Sequence, residues 1–167
     1  MIGVATDASS IAWVLTGYLL AASVATPIVG KLGDLFGRGR VLTLVLITFA
    51  VGSAVCALAP SLGVLVLGRV IQGVGGGIFP LAFGIIRETF PPERVATAIG
   101  GISATFGIGG GVGLVIAGLI VEALDASWLF WLGLMALPAA WAIFRYVPNE
   151  EPRANTSRTS VSTFARP

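Results

Sequence analysis

From residue 11 to residue 147 the chain is almost continuous hydrocarbon, cut by short polar breaks into runs of one characteristic length. The runs are 11–32, 41–59, 62–86, 96–121 and 128–147. A helix rising about 1.5 Å per residue needs roughly 20 apolar residues to cross a hydrocarbon core of about 30 Å. Each run meets that length, so the pattern predicts an all-α, polytopic membrane bundle of five transmembrane helices. Composition agrees: 56% of residues are hydrophobic and 11% charged, mean hydropathy is +0.95, and soluble domains carry about 25% charged residues. The first run has no basic leader and exceeds the roughly 7–15 apolar residues of a cleaved signal, so it reads as a span.

Several function classes fall away on residue types alone. One cysteine, Cys56, lies mid-span and permits neither an internal disulfide nor a thiolate metal cluster. The sequence has no histidine, which removes the commonest metal ligand and general base. No cofactor, no metal and no enzymatic activity are expected. A net charge of +2 is accounted for by topology, so nucleic acid is not an expected partner; the lipid bilayer is.

If the spans alternate, Lys31, Arg38, Arg40, Arg87, Arg94, Arg145, Arg153, Arg158 and Arg166 share one side. The other side holds Asp7, the Ala59-Pro60-Ser61 turn, Glu122 and Asp125, with no base. Cytoplasmic loops retain lysine and arginine, so the expectation is a multi-pass protein of the cell membrane with its amino terminus outside and its carboxyl terminus cytoplasmic. Residues 1–10 would then be an external segment and 148–167 a polar tail, which reads as disordered or as linker. An external start followed by an odd number of spans also leads us to expect a further helix ahead of the first run.

The break Gly30-Lys31-Leu32-Gly33-Asp34-Leu35-Phe36-Gly37-Arg38-Gly39-Arg40 reads physically as a tight turn between two helices, with glycines for close backbone approach and Asp34 able to pair with Arg38. A generic charged membrane loop would read similarly. The segment nevertheless resembles the major facilitator superfamily signature G-x-L-[AG]-D-x-x-G-R-[RKG]-[RK]: Gly30, Leu32, Gly33, Asp34, Gly37, Arg38 and Arg40 match. The resemblance implies that this is the loop between the family's second and third helices, a gating element that holds the outward-facing state by pairing with the carboxyl-terminal bundle. The first run then corresponds to the family's second helix.

Arg69 stands inside the third run, in LVLGRVIQGVGGGIFP, with no acid or other base near it. An ionisable side chain at such depth costs about 2.5 kcal/mol or more and is a functional candidate by default; snorkelling to the outer interface is the structural alternative. Arg69 and Gln72 share a helix face at i, i+3 and are expected to point into a cavity. The stretch is similar to L-x-x-x-R-x-x-Q-G-x-G in the fourth helix of the superfamily's proton-coupled exporters, with Leu65, Arg69, Gln72, Gly73 and Gly75 in register. That similarity implies a proton-coupling or substrate-cavity role for Arg69, Gln72 and Gly73. A guanidinium keeps its proton, so Arg69 would tune a nearby acid, order water or bind an anionic group.

The fourth run carries Gly107-x-x-x-Gly111 and Gly109-x-x-x-Gly113, small-residue spacings that let membrane helices pack backbone to backbone. It also resembles the antiporter pattern G-x-x-x-G-P-x-x-G-G, with Gly109, Gly113 and Gly118 in register, although Leu114 replaces the proline and Ala117 a glycine. Trp13 and Tyr18 look like the second helix of the 14-helix drug:proton antiporter class, and RETFPPERVATA like the cytoplasmic connection between helices four and five. Pro27 and Pro80 are placed to kink their helices, and Trp128 and Trp131 to anchor an interface. Together these imply helices two to six of an amino-terminal half bundle, a fragment of a multidrug-type efflux transporter. Its partners, once completed by the missing helices, would be protons and a small amphipathic substrate. The alternative is a non-transporting membrane protein, a gene remnant or a subunit needing a partner chain.

Overall fold

A computed structural model describes residues 8–123 and 127–146. Its elements are α1 (Ala8–Phe36), α2 (Arg38–Ala57), α3 (Leu62–Gly73), a 3-10 turn (Val74–Gly77), α4 (Ile78–Thr89), α5 (Pro92–Ala123), α6 (Ser127–Leu132), a second 3-10 turn (Gly133–Met135) and α7 (Ala136–Tyr146). α3 with α4, and α6 with α7, each form one span, so five helical rods are long and apolar enough to cross a membrane. No strand occurs among the described residues. The helices overrun several of the apolar runs. α1 takes in Ala8–Ser10 of the expected external segment and continues to Phe36, and the third rod reaches Thr89. Backbone hydrogen bonding continues through polar residues at an interface, where apolar composition stops. The rest of the amino-terminal segment, Asp125, Val147 and the 148–167 tail lie outside the described residues.

Proline explains where two rods change pitch. Pro80 and Pro138 each lack an N–H, and each ring crowds the carbonyl four residues back. In both cases the 3-10 turn lies on that preceding stretch, at Val74–Gly77 and Gly133–Met135. Pro27 is absorbed within α1 without such a turn. Beside it Thr26 Oγ1 donates to the Ala22 carbonyl at 2.6 Å and Ser23 Oγ to Leu19 at 2.8 Å.

α2 is the hub, touching α1, α3, α4, α6 and α7. Half of its most apolar stretch is buried, against none for α5. Val41, Leu42, Val45 and Leu46 from α2 meet Val29 of α1, Leu81 of α4 and Ala140 of α7 in the core. At the α2–α3 crossing, a methyl on Gly52 would lie 2.7 Å from the Gln72 nitrogen, and one on Gly68 3.1 Å from the Gly52 carbonyl. Only hydrogen at both positions lets the two backbones meet. Among the described residues, α5 contributes no buried residue and touches only α4 and α6; Phe106 meets Phe79 edge-on at 4.7 Å. Large apolar side chains such as Leu19, Leu44, Leu114 and Phe144 are exposed around the molecule, the surface expected where the solvent is lipid.

Candidate functional site

Two groups of residues carry polar chemistry on this scaffold. The first is at the α1–α2 junction, at the basic end of the bundle. The chain reverses at Gly37, whose φ of 93° is the one positive value among the described residues; its N–H donates to the Gly33 carbonyl at 3.0 Å. This reversal places Arg38 a helical turn beyond Asp34, and Arg38 Nη2 and Nε donate to Asp34 Oδ1 at 2.7 and 3.1 Å. Arg38 Nη1 also lies 3.5 Å from Glu88 Oε1 on α4, so one guanidinium ties three helices.

The space for it comes from glycine. A methyl on Gly84 would coincide with the Arg38 guanidinium, and one on Gly33 would strike Leu81. Gly30 is different, since its methyl would make only ordinary contact with Pro80 at 3.9 Å. Arg40 takes no part in this charge cluster. The structure therefore brings Gly33, Asp34, Gly37 and Arg38 together and adds Glu88 and Gly84, which the loop signature does not contain. Their signal in the sequence was the i, i+4 placement of a glycine and an acid at the basic end of one span.

The second group is inside the bundle. Gln72 is buried, and its Nε2 donates to Ser53 Oγ of α2 at 2.7 Å. Ser53 is fully buried and donates in turn to the Phe49 carbonyl at 2.9 Å. Cys56 Sγ lies 3.7 Å from the Leu65 carbonyl and 3.8 Å from Gln72 Oε1. The face expected to look into a cavity is, at Gln72, packed on α2, because Gly52 and Gly68 let the two helices close over it. Gly73 serves the other neighbour: its methyl would lie 2.6 Å from the Ala21 Cβ and 2.8 Å from the Tyr18 carbonyl of α1.

Arg69, one turn before Gln72, sits with its guanidinium carbon 4.9 Å from the centre of the Phe130 ring on α6, within cation–π range. Its Nε is buried without a hydrogen-bond partner among the described residues. Neither Ser53 nor Phe130 is legible in the sequence as a partner of these side chains. Hydroxyls in spans usually satisfy themselves on the i−4 carbonyl, as Thr43 and Thr48 do here, and nothing local separates Ser53 from them. Gly109, Gly113 and Gly118 are not brought to either group; a methyl on any of them would meet nothing within 4 Å.

An apolar helix bundle with a charge clamp at one end and a guanidinium held inside defines a multi-pass membrane protein. Comparison with known proteins gives the family: the Major Facilitator Superfamily model matches residues 3–166, and the chain belongs to that superfamily. It is similar to Multidrug resistance protein 3 of Bacillus subtilis, at 38% identity over 124 residues, covering 74% of this chain and 24% of that protein. The Multidrug transporter protein MdtP of the same bacterium is 38% identical over 127 residues, 75% of this chain and 24% of its own. Efflux pump dotC of Dothistroma septosporum is 38% identical over 123 residues, 73% of this chain and 21% of its own. The chain thus spans about a quarter of the length of the curated relatives it matches.

Proposed function

We propose that this chain supplies helices two to six of the amino-terminal bundle of a proton-coupled, multidrug-type exporter in the cell membrane, amino terminus outside and carboxyl terminus cytoplasmic. The observation that carries the reading is Arg69, a cation held among apolar helices with its Nε unsatisfied among the described residues. A buried group of that kind is costly unless it acts on something, and intramembrane ionisable residues mark ion and substrate paths. Because the guanidinium does not release its proton, its part is to bias the charge of an acid or to hold an anionic group, while Gln72 and Ser53 fix the helix that bears it. The Arg38 clamp to Asp34 and Glu88 supports a gating role for the basic-end loop, since it joins α1, α2 and α4 where a rocking bundle would need a stiff edge. The names of the relatives, a multidrug resistance protein and a multidrug transporter, support drugs as the substrate class.

The test is ethidium efflux from cells producing the chain alone and cells producing it joined to the flanking coding sequence at its locus. Efflux that a protonophore abolishes, and that Arg69→Ala removes while Arg69→Lys partly retains it, is the expected result. Undiminished efflux in Arg69→Ala would refute the role of Arg69. Absence of efflux from both forms would refute the transport reading in favour of a non-transporting membrane protein.

A further inference from the structure

Arg38 and Arg40 are two residues apart on the first turn of α2, yet they meet different surroundings. Arg38 is engaged by Asp34 and Glu88. Arg40 has no ion pair among the described residues, and instead its side chain lines two apolar grooves at once. One groove, of about 540 Å³, runs between α2 and α7 and is walled by Leu44, Ile47, Leu137, Trp141 and Phe144. The other, of about 470 Å³, runs between α1 and α2 along Val29, Leu32, Phe36, Leu44 and Val45, as far as Thr48. Leu44 belongs to both and is exposed, so it is the ridge that separates them.

We propose that these paired grooves bind one anionic phospholipid, its two acyl chains straddling Leu44 and its phosphate seated on Arg40. Three features select that occupant over others. The grooves diverge from a single cation, which matches two hydrocarbon tails leaving a single charged headgroup. From Arg40 they reach Ile47 and Thr48, about 10–12 Å along the helix axis at 1.5 Å per residue, most of the roughly 15 Å that one leaflet of a 30 Å core supplies. The cation lies at the basic end of the bundle, at the level where headgroups sit, and no acid among the described residues competes for it. A second copy of the chain would have to present an acidic group over two apolar ridges at the same depth, whereas every anionic phospholipid already has that form. The inference does not depend on the transport reading.

Trp141 lines the larger groove and reports its occupancy. The chain is reconstituted in phosphatidylcholine vesicles containing a minor fraction of phosphatidylglycerol, with bromine on the acyl chains of one lipid or the other, and the Trp141 contribution is isolated by subtracting Trp141→Phe. At equal mole fraction, brominated phosphatidylglycerol should occupy the groove about five-fold more readily than brominated phosphatidylcholine, the preference that one basic side chain confers on an anionic lipid. Arg40→Gln should bring the two lipids to parity and Arg40→Lys should keep the preference, while Arg94→Gln, which removes the same charge away from the grooves, should leave it unchanged. Parity in the unmutated chain, meaning ordinary surrounding lipid, would overturn the proposal. So would a preference that survives Arg40→Gln, or an absence of Trp141 quenching by either lipid, which would mean that protein covers the groove.

Discussion

Ser53→Ala removes one hydroxyl and Gln72→Leu removes a whole amide, yet the structure makes the smaller change the more damaging. Ser53 accepts from Gln72 Nε2 at 2.7 Å and donates to the Phe49 carbonyl at 2.9 Å. In Gln72→Leu the serine keeps its bond to Phe49, a leucine of similar bulk fills the seam, and no polar atom is stranded; the expected cost is below about 1 kcal/mol. In Ser53→Ala the Gln72 amide, only 4% exposed, keeps its hydrogens and loses their acceptor. A stranded buried donor costs about 1–3 kcal/mol, and the modest interhelical bonds measured in membranes place this one near the lower half of that range. The double variant should be less destabilised than the sum of the two, with a coupling of about 0.6 kcal/mol. Steric trapping across α2 and α3, or reversible unfolding in mixed micelles, measures all four corners of this cycle. Additive costs, or a Gln72→Leu penalty above that of Ser53→Ala, would refute the account of who satisfies whom.

Other changes test the remaining joints. Gly84→Ala should expel the Arg38 guanidinium and cost about 1–3 kcal/mol as an overpacked site, read as a lowered Tm, whereas Glu88→Gln removes only a partly exposed pair and should cost less than about 1 kcal/mol. Gly37→Ala should destabilise by about 1–3 kcal/mol. Gly37→Asn should not rescue it, because ψ there is 126°, far from the left-handed helical value near +47° that asparagine tolerates. Phe130→Leu should loosen Arg69 by about 0.5–2 kcal/mol while Phe130→Trp holds it, seen in the same unfolding assay. Gly109→Leu and Gly113→Leu should shift the stability of this chain by no more than about 0.5 kcal/mol, in contrast to Gly68→Leu, which should separate α2 from α3 and abolish cooperative unfolding.

The loop Gly30–Arg40 shows how far a local reading reaches. Gly33, Asp34 and Arg38 lie within about one helical turn of the chain reversal at Gly37, so their meeting follows from spacing alone, and Asp34 and Arg38 do meet. Glu88 and Gly84 join them from a helix some fifty positions later in the sequence, a contact that no spacing rule encodes. Gln72 makes the same point in reverse. Its place beside Arg69 on one helix face was legible, but whether that face opened to a cavity or closed on α2 depended on two glycines, Gly52 and Gly68, in different helices. The fourth run read as a packing face from its glycine spacing, and among the described residues that face touches nothing. Spacing states that a helix can be approached closely and is silent on whether anything approaches.

The order of residues is enough to set the solvent and the rods. Runs of about 20 apolar residues have one low-energy fate in a bilayer, because every backbone group must be bonded within its own helix, and the bases gathered at alternate breaks mark which ends lie together. Which side chains share a seam is set by the packing of the rods. Between lipid and protein there is little difference in hydrophobicity to orient a helix, so rotation and partner choice fall to close backbone contacts and a few buried polar bonds. Those are properties of pairs of helices, and they are why Ser53, Glu88, Phe130 and the double groove under Arg40 became visible only once the rods were packed.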